Sequence, residues 1–230
     1  MIKVENIEVW GFEHAIRGMR NPLNSWARSD SAYCYEVECE KCRFHKDGIY
    51  CGIDKRMETM VTNFVLGSND LDLMRRLFKG GAEHRKYLRQ IFVSFDLTSS
   101  LYFYKEFDTY KIGTTANSTS TMHKIHAKEF TMNDFSTDHM TPATRNFMEL
   151  VVNYMESVRQ RYMNDGKNKE DWYDMIQLLP SSYNQKRTIT MNYENVINMI
   201  HQRENHKLDE WKEFVEVLKN LPYVKEIIGE

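Results

Sequence analysis

The sequence predicts an α+β fold, and three observations predict it. Short runs such as IKVENIEVW, IFVSFDLTS and KRTITMN are alternating or β-branched and read as strands. Longer runs carry apolar residues three and four apart, the spacing of a helix face. The two kinds mix without strict strand–helix alternation, which argues against a doubly wound parallel sheet. At 230 residues, with no internal repeat and no low-complexity linker, the chain reads as a single domain over residues 1–230.

Residues 2–10 alternate at Ile2, Val4, Ile7 and Val9 and form the first strand. A helix follows through Phe12, Ala15, Ile16 and Met19, then a loop, NPLNSWARSD. A cysteine-bearing insertion occupies about 30–55, with a hairpin around Asp47-Gly48, and Met57 to Leu66 reads as a strand. Asn69 or Asp70 is expected to cap a helix through Leu71, Leu73, Met74 and Leu77, broken at Gly80-Gly81. AEHRKYLRQ is a short helix or turn before the IFVSFDLTS strand, and Ser99 is expected to cap the next helix, SLYFYKEFDTY. The run KIGTTANSTSTMH has almost no apolar content and is expected to be a loop or a lining segment.

Thr141-Pro142 is a helix start: a hydroxyl cap, then proline where its missing N–H costs nothing. Phe147, Leu150, Val151, Tyr154, Met155 and Val158 then mark a long amphipathic helix ending near Asn164-Asp165-Gly166. Another helix runs through Trp172, Met175, Ile176 and Leu179 to Pro180. After the KRTITMN strand comes a helix opening at Asn192, and a last one through Trp211, Phe214, Val215 and Leu218.

Composition narrows the function classes. The chain is 41% hydrophobic and 28% charged, with a net charge of −2. No global charge draws it to nucleic acid or membrane. No apolar run approaches the roughly 18–20 residues of a membrane span. The charged, alternating N-terminus is not a signal peptide, so a cytoplasmic location is expected. Cys34, Cys39, Cys42 and Cys51 are the four cysteines, with His45 among them. Disulfides are not expected in a reducing compartment. Cys39-x2-Cys42 matches half of a zinc clamp, whereas Cys34 and Cys51 form no second close pair. The set reads either as a structural zinc site or as free thiols in an insertion.

Two stretches could carry chemistry. On the helix from Asn192, the residues Val196, Met199, Ile200 and Arg203 share one face. Arg203 is therefore either an inward arginine that needs an anion or carbonyl, or a side chain snorkelling at a helix end. Asn192 is most simply an N-cap. The second stretch is Thr114 to Thr121, whose hydroxyl and amide donors suit an oxyanion, or water if the run is a solvated loop. It has neither Walker nor Rossmann spacing.

At these residues the sequence resembles the flavin-dependent thymidylate synthases, over roughly residues 65–215. Three blocks carry the resemblance. Glu83-His84 is similar to the family's Glu-His pair, whose histidine contacts flavin. EFDTYKIGTTANSTS is similar to its signature of a glutamine, two residues, Arg-His-Arg, then seven residues and a serine. The 22 positions from His84 to Glu106 keep the family's interval from histidine to glutamine. TMNYENVINMIHQR resembles the block with two flavin-contacting asparagines and a pyrimidine-holding arginine, here Asn192, Asn198 and Arg203. This chain also departs from the pattern. Thr109-Tyr110-Lys111 stands for Arg-His-Arg, and Glu106 for the glutamine. Met122 and Ile176 stand where the family has arginines, and Ser120 matches the serine only with one inserted residue.

The resemblance implies a mixed sheet with long helices, a homotetramer with sites at subunit interfaces, and reductive C5 methylation or a related one-carbon transfer on a uracil-type nucleotide such as dUMP. It implies FAD, methylene-tetrahydrofolate and NADPH. His84, Lys111, Asn117, Asn192 and Asn198 would hold flavin, Glu106, Ser120 and Arg203 the substrate, and Arg203 would stabilise charge on the pyrimidine. A reading from another class keeps the fold as a non-catalytic nucleotide- or partner-binding protein.

Overall fold

The structure is a computed structural model that describes residues 2–34 and 62–229. The expected hairpin at Asp47-Gly48, the zinc candidates Cys39, Cys42 and Cys51, and the first part of the Met57–Leu66 strand lie outside the described residues. Among the described residues the elements run β1 (Lys3–Trp10), α1 (Phe12–Arg20), β2 (Ala32–Tyr33), β3 (Phe64–Val65), α2 (Ser68–Lys79), β4 (Phe92–Ser100), α3 (Leu101–Phe107) and β5 (Thr114–Ser118). They continue with α4 (Pro142–Asn164), α5 (Lys169–Gln177), β6 (Asn184–Asn192), α6 (Tyr193–Arg203), α7 (Asp209–Lys219) and α8 (Val224–Ile228). The main sheet has the order β1-β4-β6-β5, and β2 pairs with β3 in a separate antiparallel ribbon. This is the expected α+β class.

The chain divides into two compact units. The first comprises Met1–Val4, Asp96–Lys111 and Ala116–Thr188; the second comprises Glu5–Phe95, Ile112–Thr115 and Ile189–Glu230.

In the first unit, α4 and α5 enclose a core of Ile125, Phe130, Phe135, Met148, Val152, Met155, Val158 and Met175. Thr141 caps α4 as its sequence predicts, accepting from the Thr144 N–H, with Pro142 in the first turn. The apolar stripe needs correcting. Met148, Val152, Met155 and Val158 face the core, while Phe147, Leu150 and Tyr154 are 65%, 66% and 52% exposed. The helix is apolar on two sides, so period alone could not tell the buried side. The cap of α3 also shifts by one residue: Ser100, not Ser99, accepts from the Phe103 N–H.

In the second unit, Phe12 of α1 stacks on Phe64 with ring centroids 5.5 Å apart and meets Tyr193 and Tyr223 edge-on at 5.7 and 5.4 Å. Gly11, at φ 94°, turns the chain from β1 into α1, and an added Cβ would sit 2.1 Å from the Gln90 carbonyl oxygen. The expected cap of α2 is replaced. Asp30, from the loop forty residues earlier, accepts from the Asn69 and Asp70 N–H groups at 2.9 and 3.1 Å. This releases the Asp70 side chain for the core. There it takes the Arg20 guanidinium Nε at 2.5 Å and hydroxyl donors from Ser29 and Ser31 at 2.8 and 2.7 Å.

The largest correction to the element reading is β5. The polar run is a strand rather than a loop, and it lies at the sheet edge with most of its residues exposed. An edge strand with little to bury needs no apolar alternation, and polar side chains there discourage edge-to-edge association.

Candidate functional site

In the second unit the organiser is α6. Asn192 ends β6 in extended conformation, and its Oδ1 accepts from the Asn195 N–H at 3.0 Å. That is the predicted cap, and it commits the oxygen of Asn192 to the helix. Its Nδ2 faces Gly113: a Cβ at Gly113 would lie 2.3 Å from it, and Gly113 is held at φ 73°. Asn195, which the sequence reading passed over, donates from Nδ2 to the Ile112 carbonyl at 2.5 Å and to Thr114 Oγ1 at 2.9 Å. The Ile112–Thr114 turn is therefore fastened to the first turn of α6 by Asn195, with Asn192 packed against Gly113. A glycine next to hydroxyls is a sequence signal for such a close approach, but the asparagine partner lies some eighty residues away.

Further along α6, Val196, Met199 and Ile200 are fully buried, as their shared face predicts. Asn198 is half-buried. Arg203 ends the helix half-buried, with its guanidinium carbon 5.0 Å from the centroid of the Trp211 ring. A cation over an indole face is held in orientation by the ring. Neither simple expectation, inward or snorkelling, describes this stacked arginine fully.

The turn that carries His84 runs beside the same helix. Arg89 pairs with Glu194 at 2.6 Å near the start of α6, and the Phe78 ring lies 6.4 Å from the ring of His201 near its end. Tyr193 N–H donates to the Ile91 carbonyl at 2.9 Å. His84 is exposed, with its ring against Gly80, where an added Cβ would lie 3.1 Å from Cδ2. The segments on either side of His84 thus contact the helix that Asn192 caps and that bears Asn198 and Arg203. Arg85, the neighbour of His84, stacks over Phe78 at 5.5 Å, and its Nε is buried without a hydrogen-bond partner. A buried guanidinium N–H with no acceptor carries a desolvation cost that an anionic or carbonyl ligand would remove. Sequence reasoning missed Arg85, although its position next to His84 was a signal.

In the first unit, α3 ends at Phe107 and the chain turns through Asp108 to Lys111. Glu106 is half-buried; its carbonyl accepts from Thr109 N–H and from Thr109 Oγ1, the latter at 2.7 Å. Lys111 and Asn117 are exposed, the latter on β5. Ser120 follows β5, and its Oγ accepts from the N–H groups of Met122 and His123 at 3.3 and 2.9 Å. Trp172 of α5 holds the same turn by donating from Nε1 to the Met122 carbonyl at 3.1 Å. Behind the turn, Gln185 and Arg187 of β6 form a chain of contacts absent from the sequence expectation. Arg187 bonds Asp108 at 2.6 Å and Gln185 Oε1 at 3.0 Å, and lies 3.8 Å over the Tyr104 ring. Tyr104 donates its hydroxyl to the Leu97 carbonyl at 2.6 Å; burial pushes its pKa up, so it stays a neutral donor.

No group of three or more metal-ligating side chains occurs among the described residues, and Cys34, the one described zinc candidate, is buried beside β3 with its N–H on the Asn63 carbonyl at 2.8 Å. No helix among the described residues is long and apolar enough to cross a membrane.

No family model and no curated protein matches the sequence. The fold, in contrast, matches solved structures along its length. One is Thymidylate Synthase X (ThyX) from Helicobacter pylori with FAD and dUMP, at a TM-score of 0.67 and 14% identity, covering 100% of this chain and 98% of that one. Another is a flavin-dependent thymidylate synthase ThyX from Helicobacter pylori complexed with FAD and dUMP, at 0.61 and 15% identity, covering 99% and 98%. The chain has the fold of the flavin-dependent thymidylate synthases.

Proposed function

We propose that this chain is a divergent flavin-dependent enzyme of the thymidylate synthase type, binding FAD and a uracil-type nucleotide. The reaction is C5 methylation, or a related one-carbon transfer, with methylene-tetrahydrofolate as carbon donor and NADPH as reductant. The observation that carries this reading is the fold shared over the full chain, in which the segments flanking His84 contact the helix that Asn192 caps and that bears Asn198 and Arg203.

The residues present fit a flavin in kind. The unpartnered Arg85 Nε, the Asn198 amide and His84 are polar groups of the second unit. Asn192 contributes through shape, since its oxygen caps α6 and its amide lies against Gly113. Lys111 and Asn117, in the first unit, are exposed. When bound, the flavin supplies hydride transfer, and the protein supplies binding, orientation and electrostatics. Arg203 holds the pyrimidine carbonyl and stabilises negative charge developing on the ring. Glu106 and Ser120 contact the nucleotide. The exposed row of Phe147, Leu150 and Tyr154 on α4 supports assembly into a homotetramer, because apolar side chains on the open side of a long helix are commonly covered by a partner.

The departures from the family pattern bear on the substrate. Met122 stands where the family has a phosphate-contacting arginine and Ile176 where it has another arginine, and charge-assisted bonds contribute roughly 1.5–3 kcal/mol each. The nucleotide phosphate should therefore matter little here. In isothermal titration of the FAD-loaded chain, dUMP and deoxyuridine should bind within about tenfold of each other, a gap of about 1.4 kcal/mol. Much tighter, phosphate-dependent binding of dUMP would refute the altered phosphate site. Turnover is tested in the same preparation: NADPH oxidation should require both nucleotide and methylene-tetrahydrofolate. Binding without turnover would favour the alternative of a non-catalytic nucleotide-binding protein, which the missing signature arginines favour.

A further inference from the structure

The reading above gives Ser120 a contact to the nucleotide, and the hydrogen bonds around it say what kind of contact it makes. A serine hydroxyl has two acceptor lone pairs and one proton to donate. Both acceptor positions of Ser120 are taken, by the N–H groups of Met122 and His123 at 3.3 and 2.9 Å. The side chain is exposed. Its remaining capacity is one outward-pointing donor, so it selects an oxygen acceptor on the ligand and offers nothing to an amino group.

The turn that aims this donor is tied down from two sides. Trp172 holds the Met122 carbonyl at 3.1 Å. On the other side, the Thr119 N–H donates to the Lys186 carbonyl at 2.9 Å, and the Thr119 carbonyl accepts from Gln185 Nε2 at 2.7 Å. Gln185 is buried, and an amide can sit in two flipped orientations. Arg187 removes the ambiguity: its Nε donates to Gln185 Oε1 at 3.0 Å, so only the flip that turns Nε2 toward Thr119 is satisfied. Arg187 is itself fixed by Asp108 at 2.6 Å and by the Tyr104 ring 3.8 Å below its guanidinium. Its stem and head are largely shielded, whereas Asp108 is half exposed.

We propose that Arg187 is a positioning residue for nucleotide binding, acting through Gln185 to aim the donor-only hydroxyl of Ser120 at an oxygen of the nucleotide. It touches no ligand itself, and its charge is already engaged by Asp108. The proposal rests on the nucleotide-binding reading and deepens it, since it names the acceptor chemistry the ligand must present at that point.

A double-mutant cycle tests it, with dUMP as the probe and dissociation constants measured by isothermal titration. Ser120→Ala should weaken dUMP about tenfold and Arg187→Met by a similar factor, because methionine keeps the apolar stem over Tyr104 but loses the bond to Gln185. In the Ser120→Ala background, Arg187→Met should add less than about twofold, since residues acting through one contact are not additive. Asp108→Asn, at a half-exposed position, keeps the test decisive if Arg187→Met folds poorly: it should give a smaller loss in the same direction, and that loss should also vanish without Ser120. Additive effects, or unchanged dUMP affinity in Arg187→Met or Ser120→Ala, overturn the proposal while leaving the nucleotide-binding reading intact. Wild-type protein that fails to bind dUMP overturns the reading and the proposal together.

Discussion

Replacing Arg203 by alanine should abolish turnover, or weaken nucleotide binding about 10²–10³-fold, while flavin remains bound. The guanidinium stands at the end of the helix whose buried face is Val196, Met199 and Ile200, and it lies over the Trp211 ring at 5.0 Å. A guanidinium is a planar fork of donors that matches a carbonyl or carboxylate in geometry. Lysine should rescue little, because it is a point donor without the planar fork and stacks less well. Separate titrations of FAD and of dUMP into Arg203→Ala distinguish the outcomes. Retained activity would remove Arg203 from the site, and loss of both ligands would point to a folding defect instead.

The second large effect concerns stability. Asp70→Ala should destabilise the protein by about 3–5 kcal/mol, a drop in Tm of roughly 10 °C for a chain of this size. Asp70 is fully buried and Arg20 nearly so, and they meet at 2.5 Å. The carboxylate also accepts from the hydroxyls of Ser29 and Ser31 and from the N–H groups of Asp30 and Ser31. Truncation leaves a buried guanidinium and several donors without their acceptor, which costs more than the pair itself contributes. A joint replacement by Arg20→Met and Asp70→Leu should therefore cost less than Asp70→Ala alone.

The same carboxylate gives a pH dependence. Burial pushes its pKa up, but the hydrogen bonds from Ser31, Ser29, Arg20 and the Asp30 N–H outweigh burial, so the folded-state pKa lies below the ordinary aspartate value. A group with a depressed folded pKa contributes stability above its unfolded pKa, about 3.9. That contribution is lost as pH falls through the lower folded value. Thermal unfolding between pH 6 and about pH 3 should show this loss in the wild type and a flatter profile in Asp70→Ala.

How far the sequence could be read depended on whether the partner of each residue was local. The cap of α6 at Asn192 and the Thr141-Pro142 start of α4 were legible because capping involves residues three positions apart. The cap of α2 was not, because the acceptor is Asp30 and the nearer candidate Asp70 is buried against Arg20. The strand β5 was hidden because an exposed edge strand carries no apolar alternation. The stripe on α4 was assigned to one face although Phe147, Leu150 and Tyr154 point outward. In the candidate site, His84, Asn192, Asn198 and Arg203 were found through the resemblance, and the structure places them in one unit, with the His84 turn beside α6. Asn195, Gln185 and Arg187 escaped notice because each acts on a turn about seventy to eighty positions away.

The central claim is that this fold, despite its altered signature, holds a flavin beside α6. Titration of purified protein with FAD, followed by flavin fluorescence and visible absorption, tests it directly. Saturable binding of FAD by the wild type, weakened in His84→Ala and Asn198→Ala, is the predicted result. Colourless protein that leaves added FAD unbound would contradict it.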